Sequence, residues 1–388
     1  MNSRIHLDYA STTPLLPEVK VAMAAALEDS GNPSSIHQAG RAAKQRLEQA
    51  RRQVATLINA KPDEVHFTSC GTESNNWALR GLLAANKRKG SHLILSVIEH
   101  PSVSLAARRL EVDGAATVTV LPVDRDGVAS PDALRKMLPP ETVLVSVMLA
   151  NGEVGTIEPI QELAAIAHEH GALFHTDAVA AAGHAPIDVK ALGVDALTLA
   201  AGQFYGPTGA AALWIRDGLR ILSLLEGGGQ EQGGRSGTEA LPAIAGMGMA
   251  AELSRVRLAD RMKRLSGLRN RLRDGLTARV EGIRLNGSWT SRLPHNLHVC
   301  VDGVASESLV LGLDAAGIAA GLGSACNSKA MRPSHVLKAM GLTDEQAKGA
   351  VVFTVGEPTT EHDIDQAFER IPAVVQRLRS VTALTARA

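Results

Sequence analysis

The chain has 388 residues, 45% of them hydrophobic and 21% charged, which allows one large globular domain plus a smaller one, each with its own core. Forty basic residues balance forty acidic ones, so no global field draws the protein to nucleic acid or to an anionic membrane, and any such contact would need a local patch. Three cysteines, Cys70, Cys300 and Cys326, are odd in number and far apart, which argues against a disulfide framework and against a preformed cysteine zinc site.

The opening stretch, MNSRIHLDYASTTP, lacks a charged-then-apolar signal layout, and no run approaches the roughly 18 apolar residues of a membrane span, so a cytoplasmic protein is expected. Residues 64–81, EVHFTSCGTESNNWALRG, read as a strand, a tight turn at Gly71 and a helix whose first turn holds Thr72, Glu73 and Ser74. Free N–H groups at such a start suit an anion, with the Thr72 hydroxyl adding a bond; read alone, the same pattern is an ordinary capped helix. Cys70 falls in that turn, where a helix N-terminus would favour its thiolate.

Apolar runs of strand length then alternate with helical segments. HLILSVI (92–98), TVLVSVML (142–149), ALFHTDAVA (172–180), ALTLAA (196–201) and GAAALWI (209–215) are separated by stretches such as ESNNWALRGLLAANKRKG and PIQELAAIAHEHG. The alternation predicts crossover units and a mostly parallel sheet covered on both faces. His100 in VIEHPSV and Asp177 in FHTDAV each fall just past or at a strand end, where open parallel sheets collect their ligands. Singly, each is more often a capping or satisfied buried group. After ALTLAA comes AAGQFYGPTG, where Gly202 and Gln203 stand at a position suited to a reactive side chain; Gln203 neither titrates nor acts as a nucleophile.

Residues 226–239, EGGGQEQGGRSGTE, read by composition as a mobile loop. A change of texture places a domain boundary near residue 250, followed by a long arginine-rich helix, the strand NLHVCVDG with Cys300 as a core residue, the helix SESLVLGLDAAG, and a final helix over EHDIDQAFERIPAVVQRLRSV. Cys326 lies in the small-residue loop of GIAAGLGSACNSKAMRPSHVLKAMG, with Lys329 and Arg332 near it and a helix beginning near Pro333. An exposed thiol beside cations is the setting in which a cysteine is reactive.

Together, LDYASTTP, GNPSSIHQAGR, FTSCGTESNN, IEHPSV, LANGEVGTIEPI, FHTDAV, PIDVKALGVD, FYGPTG, GGGQEQGGRSGTE, RLPHNLHV, GSACNS and PSHVLKAMGL resemble, in order, the motifs of the cysteine desulfurases. These are pyridoxal-phosphate (PLP) enzymes of the class V aminotransferase group that move sulfur from L-cysteine to a cysteine persulfide. The resemblance implies an α/β chain with the PLP-dependent transferase type I fold. In it, residues 16–250 form a large domain with a mostly parallel seven-stranded sheet between helices. Residues 1–15 and 251–388 form a smaller α+β domain that carries the Cys326 loop. It also implies a homodimer and an iron–sulfur scaffold or sulfur-acceptor protein as partner.

Position by position, the family's motifs imply that Thr72 touches the cofactor phosphate, His100 stacks on the pyridine ring, Asp177 holds the pyridinium nitrogen and Asn151 lies beside the ring. Arg235 and Thr238 belong to the phosphate end across the dimer interface, and Cys326 accepts the sulfur. Where the family has a segment like SAHKFYGPKG, this chain reads AAGQFYGPTG, so Gln203 replaces the Schiff-base lysine, Gly202 a histidine and Ala200 a phosphate-binding serine. Likewise Ala180 replaces a glutamine, Gly152 an asparagine, and Glu357 an arginine that binds the substrate carboxylate, turning attraction into repulsion.

The expectation is a desulfurase-like protein of sulfur transfer or iron–sulfur assembly without ordinary Schiff-base catalysis, its Cys326 a persulfide carrier or an iron or cluster ligand. Two alternatives stand beside it: an active desulfurase or related lyase with non-covalent PLP, in which Lys329 supplies an amine, and a non-catalytic partner of an active paralogue.

Overall fold

A computed structural model describes residues 4–323 and 333–385. The first strand, β1 (Ile5–Leu7), is followed by β2 (Val65–Thr68), β3 (His92–Ser96), β4 (Thr117–Leu121), β5 (Thr142–Ser146), β6 (Leu173–Asp177), β7 (Ala196–Ala200) and β8 (Ala211–Ile215). After the long Leu241–Arg279 helix come β9 (Ile283–Asn286), β10 (Asn296–Val301), β11 (Ile318–Ala320) and β12 (Ala350–Thr354).

Seven of these strands form one sheet in the order β2-β8-β7-β6-β5-β3-β4, in which only β8 runs antiparallel to its neighbours. All five residues of β3, β5 and β8 are buried, as a strand covered on both faces requires, including the polar ends His92, Ser96, Thr142 and Ser146 of β3 and β5. The edge strand β4, TVTVL, alternates β-branched and polar residues and buries only Leu121. The five apolar runs each contain a strand, and the helices Gly71–Ala85 and Ile160–Glu169 fall where the sequence places them.

A second sheet, β12-β10-β9, is antiparallel, and β1 pairs in parallel with β11. Its core gathers Leu265, Leu268, Leu272 and Leu276 with Leu297, Phe353 and Ile364, whereas Leu241, Ile244, Met247, Ala250 and Ala251 belong to the core under the large sheet. The change of texture near 250 is therefore no linker: it lies inside a continuous 39-residue helix that starts at Leu241. The helix expected near Pro333 runs from His335 to Ala339, with Ser334 as its N-cap accepting from Val336 and Leu337.

The glycine-rich segment 226–239 is anchored, contrary to its composition. Glu231 is 4% exposed and accepts from Arg51 Nη1 at 2.6 Å and from the Phe67 backbone N–H at 2.8 Å, so one buried ion pair fastens the middle of the segment to the large domain. Among the described residues, no helix is long and apolar enough to cross a membrane, and no group of three or more His, Cys, Asp or Glu side chains is placed to hold a metal.

Candidate functional site

Beyond the carboxyl ends of β3, β5, β6 and β7 lies a cavity of about 470 Å3. Thr72, His100, Asn151, Asp177 and Gln203, separated by up to 131 positions in sequence, all line it. Arg235 and Thr238 are not among its lining residues; Arg235 donates through Nε to Glu73 Oε1 at 2.7 Å, beside Thr72 on the same helix. Cys326 lies outside the described residues, as do Lys329 and Arg332, but the residues before and after that segment, Gly321, Leu322, Gly323, His335 and Val336, line the cavity.

At one end of the cavity the Gly71–Ala85 helix begins. Its N-cap, Cys70, is extended (φ −164°, ψ 162°) and makes no side-chain capping bond, so the first-turn N–H groups have no side-chain cap from that residue. Its thiol is exposed and lines the cavity, with Ser69 Oγ, which donates to Glu73 Oε2, 3.6 Å from Sγ. Cys300, by contrast, is buried in β10, and burial pushes its thiol up to about 11.

On the floor, Asp177 ends β6. Its Oδ1 accepts from the Val179 N–H at 2.9 Å and its Oδ2 from Asn75 Nδ2 at 2.7 Å. Burial raises the Asp177 pKa, opposed by those two hydrogen bonds and by His100. The His100 ring caps the Pro101–Val112 helix, its Nδ1 accepting from the Ser102 N–H at 3.1 Å; Pro at the first helical position leaves no competing donor. Asn151 is wholly engaged in its turn: Oδ1 accepts from the N–H groups of Glu153 and Val154, and Nδ2 donates to the Ile98 carbonyl at 3.1 Å.

Two carboxyls that sequence reasoning passes over also line the cavity. Glu99 is fully buried; desolvation lifts it to about 8, although Ser96 Oγ and the Met148 N–H both donate to Oε1. Desolvation lifts Glu153 to about 7, opposed by a hydrogen bond from Ser334. The only signal for either was its place beside a motif residue, in EHP and NGEVG.

The opposite wall is a 3-10 turn, Ala201–Gln203, which closes β7. Gln203 Nε2 donates to the Ser11 carbonyl at 3.3 Å, and the Gln203 carbonyl lies 3.1 Å from His184 Nε2, a ring held neutral because burial lowers its pKa to about 4. A Cβ on Gly202 would meet nothing nearer than Thr208 Cγ2 at 3.6 Å, and a Cβ on Gly152 would meet only the Ala180 methyl, at 3.5 Å. Neither glycine is demanded by crowding.

The family model for Aminotransferase class-V matches residues 5–366. The chain belongs to the cysteine desulfurase family. It is 45% identical over 385 residues to a cysteine desulfurase IscS of Methanosarcina thermophila, covering 99% of this chain and 95% of that one. It is 44% identical to the cysteine desulfurase IscS of Dictyoglomus turgidum, covering 98% and 97%. Among solved structures, a NifS-like protein superposes with a TM-score of 0.90 at 33% identity, covering 97% of this chain and all of that one. A second, SspA in complex with cysteine, gives 0.81 at 31% identity, covering 90% and 98%.

The family's cofactor is PLP, held in the type I fold that this chain shares. The residues present fit its ring and its phosphate: a buried, oriented carboxylate at Asp177 suits a pyridinium nitrogen, and a helix start without a side-chain cap beside Thr72 suits an anion. They do not fit its covalent link, because the amide of Gln203 cannot form an imine.

One expectation drawn from the desulfurase pattern is corrected. Glu357 does not face the cavity: it accepts from Arg261 Nε at 2.8 Å, and its backbone N–H donates to the Tyr205 hydroxyl at 2.8 Å. Its charge is met by a buried guanidinium and poses no repulsion to a ligand there.

Proposed function

We propose that this desulfurase relative works as a homodimer in the cytoplasm, in sulfur transfer or iron–sulfur cluster assembly. It does so without the covalent PLP linkage of its family, with Cys326 carrying persulfide or ligating a metal or cluster, and with a scaffold or sulfur-acceptor protein as partner. The observation that carries the reading is the presence of Gln203 in the same cavity as Thr72, His100, Asn151 and Asp177, so that the anchors remain and the amine is gone. If PLP enters, Asp177 would hold the ring nitrogen, His100 would lie on the ring, Asn151 beside it and Thr72 at the phosphate; bound there, it supplies an electron sink.

Sulfur would reach Cys326 by exchange: its thiolate attacks the outer sulfur of a low-molecular-weight persulfide, the S–S bond of the donor breaks, and the donor leaves as a thiolate that takes up a proton. Arg235 and Thr238 stand outside the cavity of their own chain, which supports their serving a neighbouring subunit, either an identical copy or an active paralogue.

The test loads purified full-length protein with a small-molecule persulfide and follows sulfane sulfur by mass spectrometry, next to Cys326→Ser. Loss of the label in the variant supports the reading; equal labelling, with unchanged partner and metal binding, sinks it. Borohydride treatment with PLP is the second arm. The native chain should gain no phosphopyridoxyl mass, Gln203→Lys should gain it at residue 203, and trapping in the native chain together with alanine released from cysteine would establish an active enzyme instead. Co-purification with a lysine-bearing desulfurase would identify the paralogue as the partner.

A further inference from the structure

Asn75 sits one turn inside the Gly71–Ala85 helix, 1% exposed, and its amide nitrogen donates in two directions: to Asp177 Oδ2 at 2.7 Å and to Ser102 Oγ at 2.8 Å. Because the Ser102 oxygen accepts from Asn75, its own hydrogen is left for His100 Nδ1, 2.7 Å away. The Ser102 backbone N–H donates to the same ring nitrogen at 3.1 Å. A nitrogen that accepts from two donors carries no hydrogen, so the proton of the neutral ring resides on Nε2. In the opposite amide orientation Asn75 Oδ1 would face an ionised Asp177 as two acceptors together, and with either orientation the Ser102 backbone N–H still donates to Nδ1 and keeps the ring hydrogen off that nitrogen.

We infer that Asn75 and Ser102 are positioning residues: they fix His100 as its Nε2–H tautomer and tie the ring to the carboxylate of Asp177. Three segments distant in sequence, around residues 75, 102 and 177, thus set the hydrogen-bonding identity of one side chain. His100 offers the cavity a donor at Nε2, and its Nδ1 is closed to any ligand. This goes beyond the sulfur-transfer reading and needs neither cofactor nor Cys326, so one can fail while the other stands.

The test is long-range proton–nitrogen NMR on the full-length chain with labelled histidine, the His100 signals being assigned by their loss in His100→Gln. Nδ1 should resonate as an unprotonated ring nitrogen and Nε2 as a protonated one. Ser102→Ala removes the shorter donor and should move the tautomer ratio toward Nδ1–H by about fivefold, the weight of one net hydrogen bond. Ser102→Thr should restore the native pattern. Asn75→Ala removes the donor that orients the Ser102 hydroxyl and should move the ratio in the same direction. A native chain with its proton on Nδ1 overturns the inference, as does a native tautomer ratio in folded Ser102→Ala.

Discussion

Arg261, on the long Leu241–Arg279 helix, and Glu357, just past β12, form an ion pair in which the guanidinium is 2% exposed and the carboxylate 21%. The same arginine donates to the Gly183 carbonyl at 2.8 Å and lies 4.8 Å from the centre of the Tyr205 ring. Glu357→Ala would leave a buried cation with carbonyl and hydroxyl partners alone, at a cost of roughly 2–4 kcal/mol in urea unfolding. Reinstating the family's arginine by Glu357→Arg should cost more, since it sets two guanidinium groups together. Unfolding at the native midpoint in Glu357→Arg, with tighter carboxylate binding in the cavity, would show that the residue belongs to the site after all.

Buried carboxyls give the protein a characteristic response to pH. Burial lifts Glu99 and Glu158 to about 8 and Glu153 to about 7, from an ordinary value of 4.5. The folded chain keeps protons that the unfolded chain releases, so their contribution is complete below about pH 4.5 and is lost as pH rises through 7 and 8. His175, His184 and His298 act in the opposite sense. Burial lowers them to about 3, 4 and 3 from 6.5, so their contribution is complete above 6.5 and is lost as pH falls toward 4. Between 4.5 and 6.5 the two sets oppose each other; above 6.5 the carboxyls act alone. Thermal unfolding should therefore show falling stability from pH 6.5 toward pH 8. Glu99→Gln should flatten that fall by about 1.4 kcal/mol per pH unit; a variant profile parallel to the native one would mean that Glu99 is ionised throughout.

Within NGEVG the two glycines should behave as opposites. Gly155 has φ +82°, and a Cβ there would lie 2.6 Å from Asn296 Oδ1, whereas a Cβ on Gly152 has a normal contact with Ala180 at 3.5 Å. Gly155→Ala should lose about 1–3 kcal/mol, and Gly152→Ala should be neutral or gain up to about 1 kcal/mol through the unfolded chain. Chemical denaturation of the pair distinguishes them directly, and equal losses would contradict the described turn.

Arg51→Met should strand Glu231 with little beyond the Phe67 N–H and cost about 3–5 kcal/mol. Limited proteolysis should then cut within 226–239, and adding Glu231→Gln should recover part of the loss. A single variant as protease-resistant as the native chain would remove the anchor from consideration.

What the residues disclosed in advance depended on how locally each feature is encoded. β8 is a continuous apolar run and β3 and β5 have apolar centres, and they are readable because burial on both faces leaves no polar alternation there. The same reasoning misses β4, a strand of threonine and valine with only Leu121 buried, and it starts the long helix ten residues late because Gly246 and Gly248, buried within it, look like breakers and Pro242 stands in its first turn. Motif order brought Thr72, His100, Asn151, Asp177 and Gln203 to one cavity. Composition misjudged 226–239, since its anchor is a partner 180 positions away, and the Glu357 substitution looked repulsive only while Arg261 was out of view.

The continuous Leu241–Arg279 helix also sets how the molecule comes apart. At 1.5 Å per residue it is a rod of about 58 Å, with its first turns in one core and its last in the other. Melting either core strips the apolar stripe from a rod that the other still needs. The two cores are thereby thermodynamically coupled: damage to the small sheet lowers the melting temperature of the large one, and a calorimeter should record their unfolding as a single event.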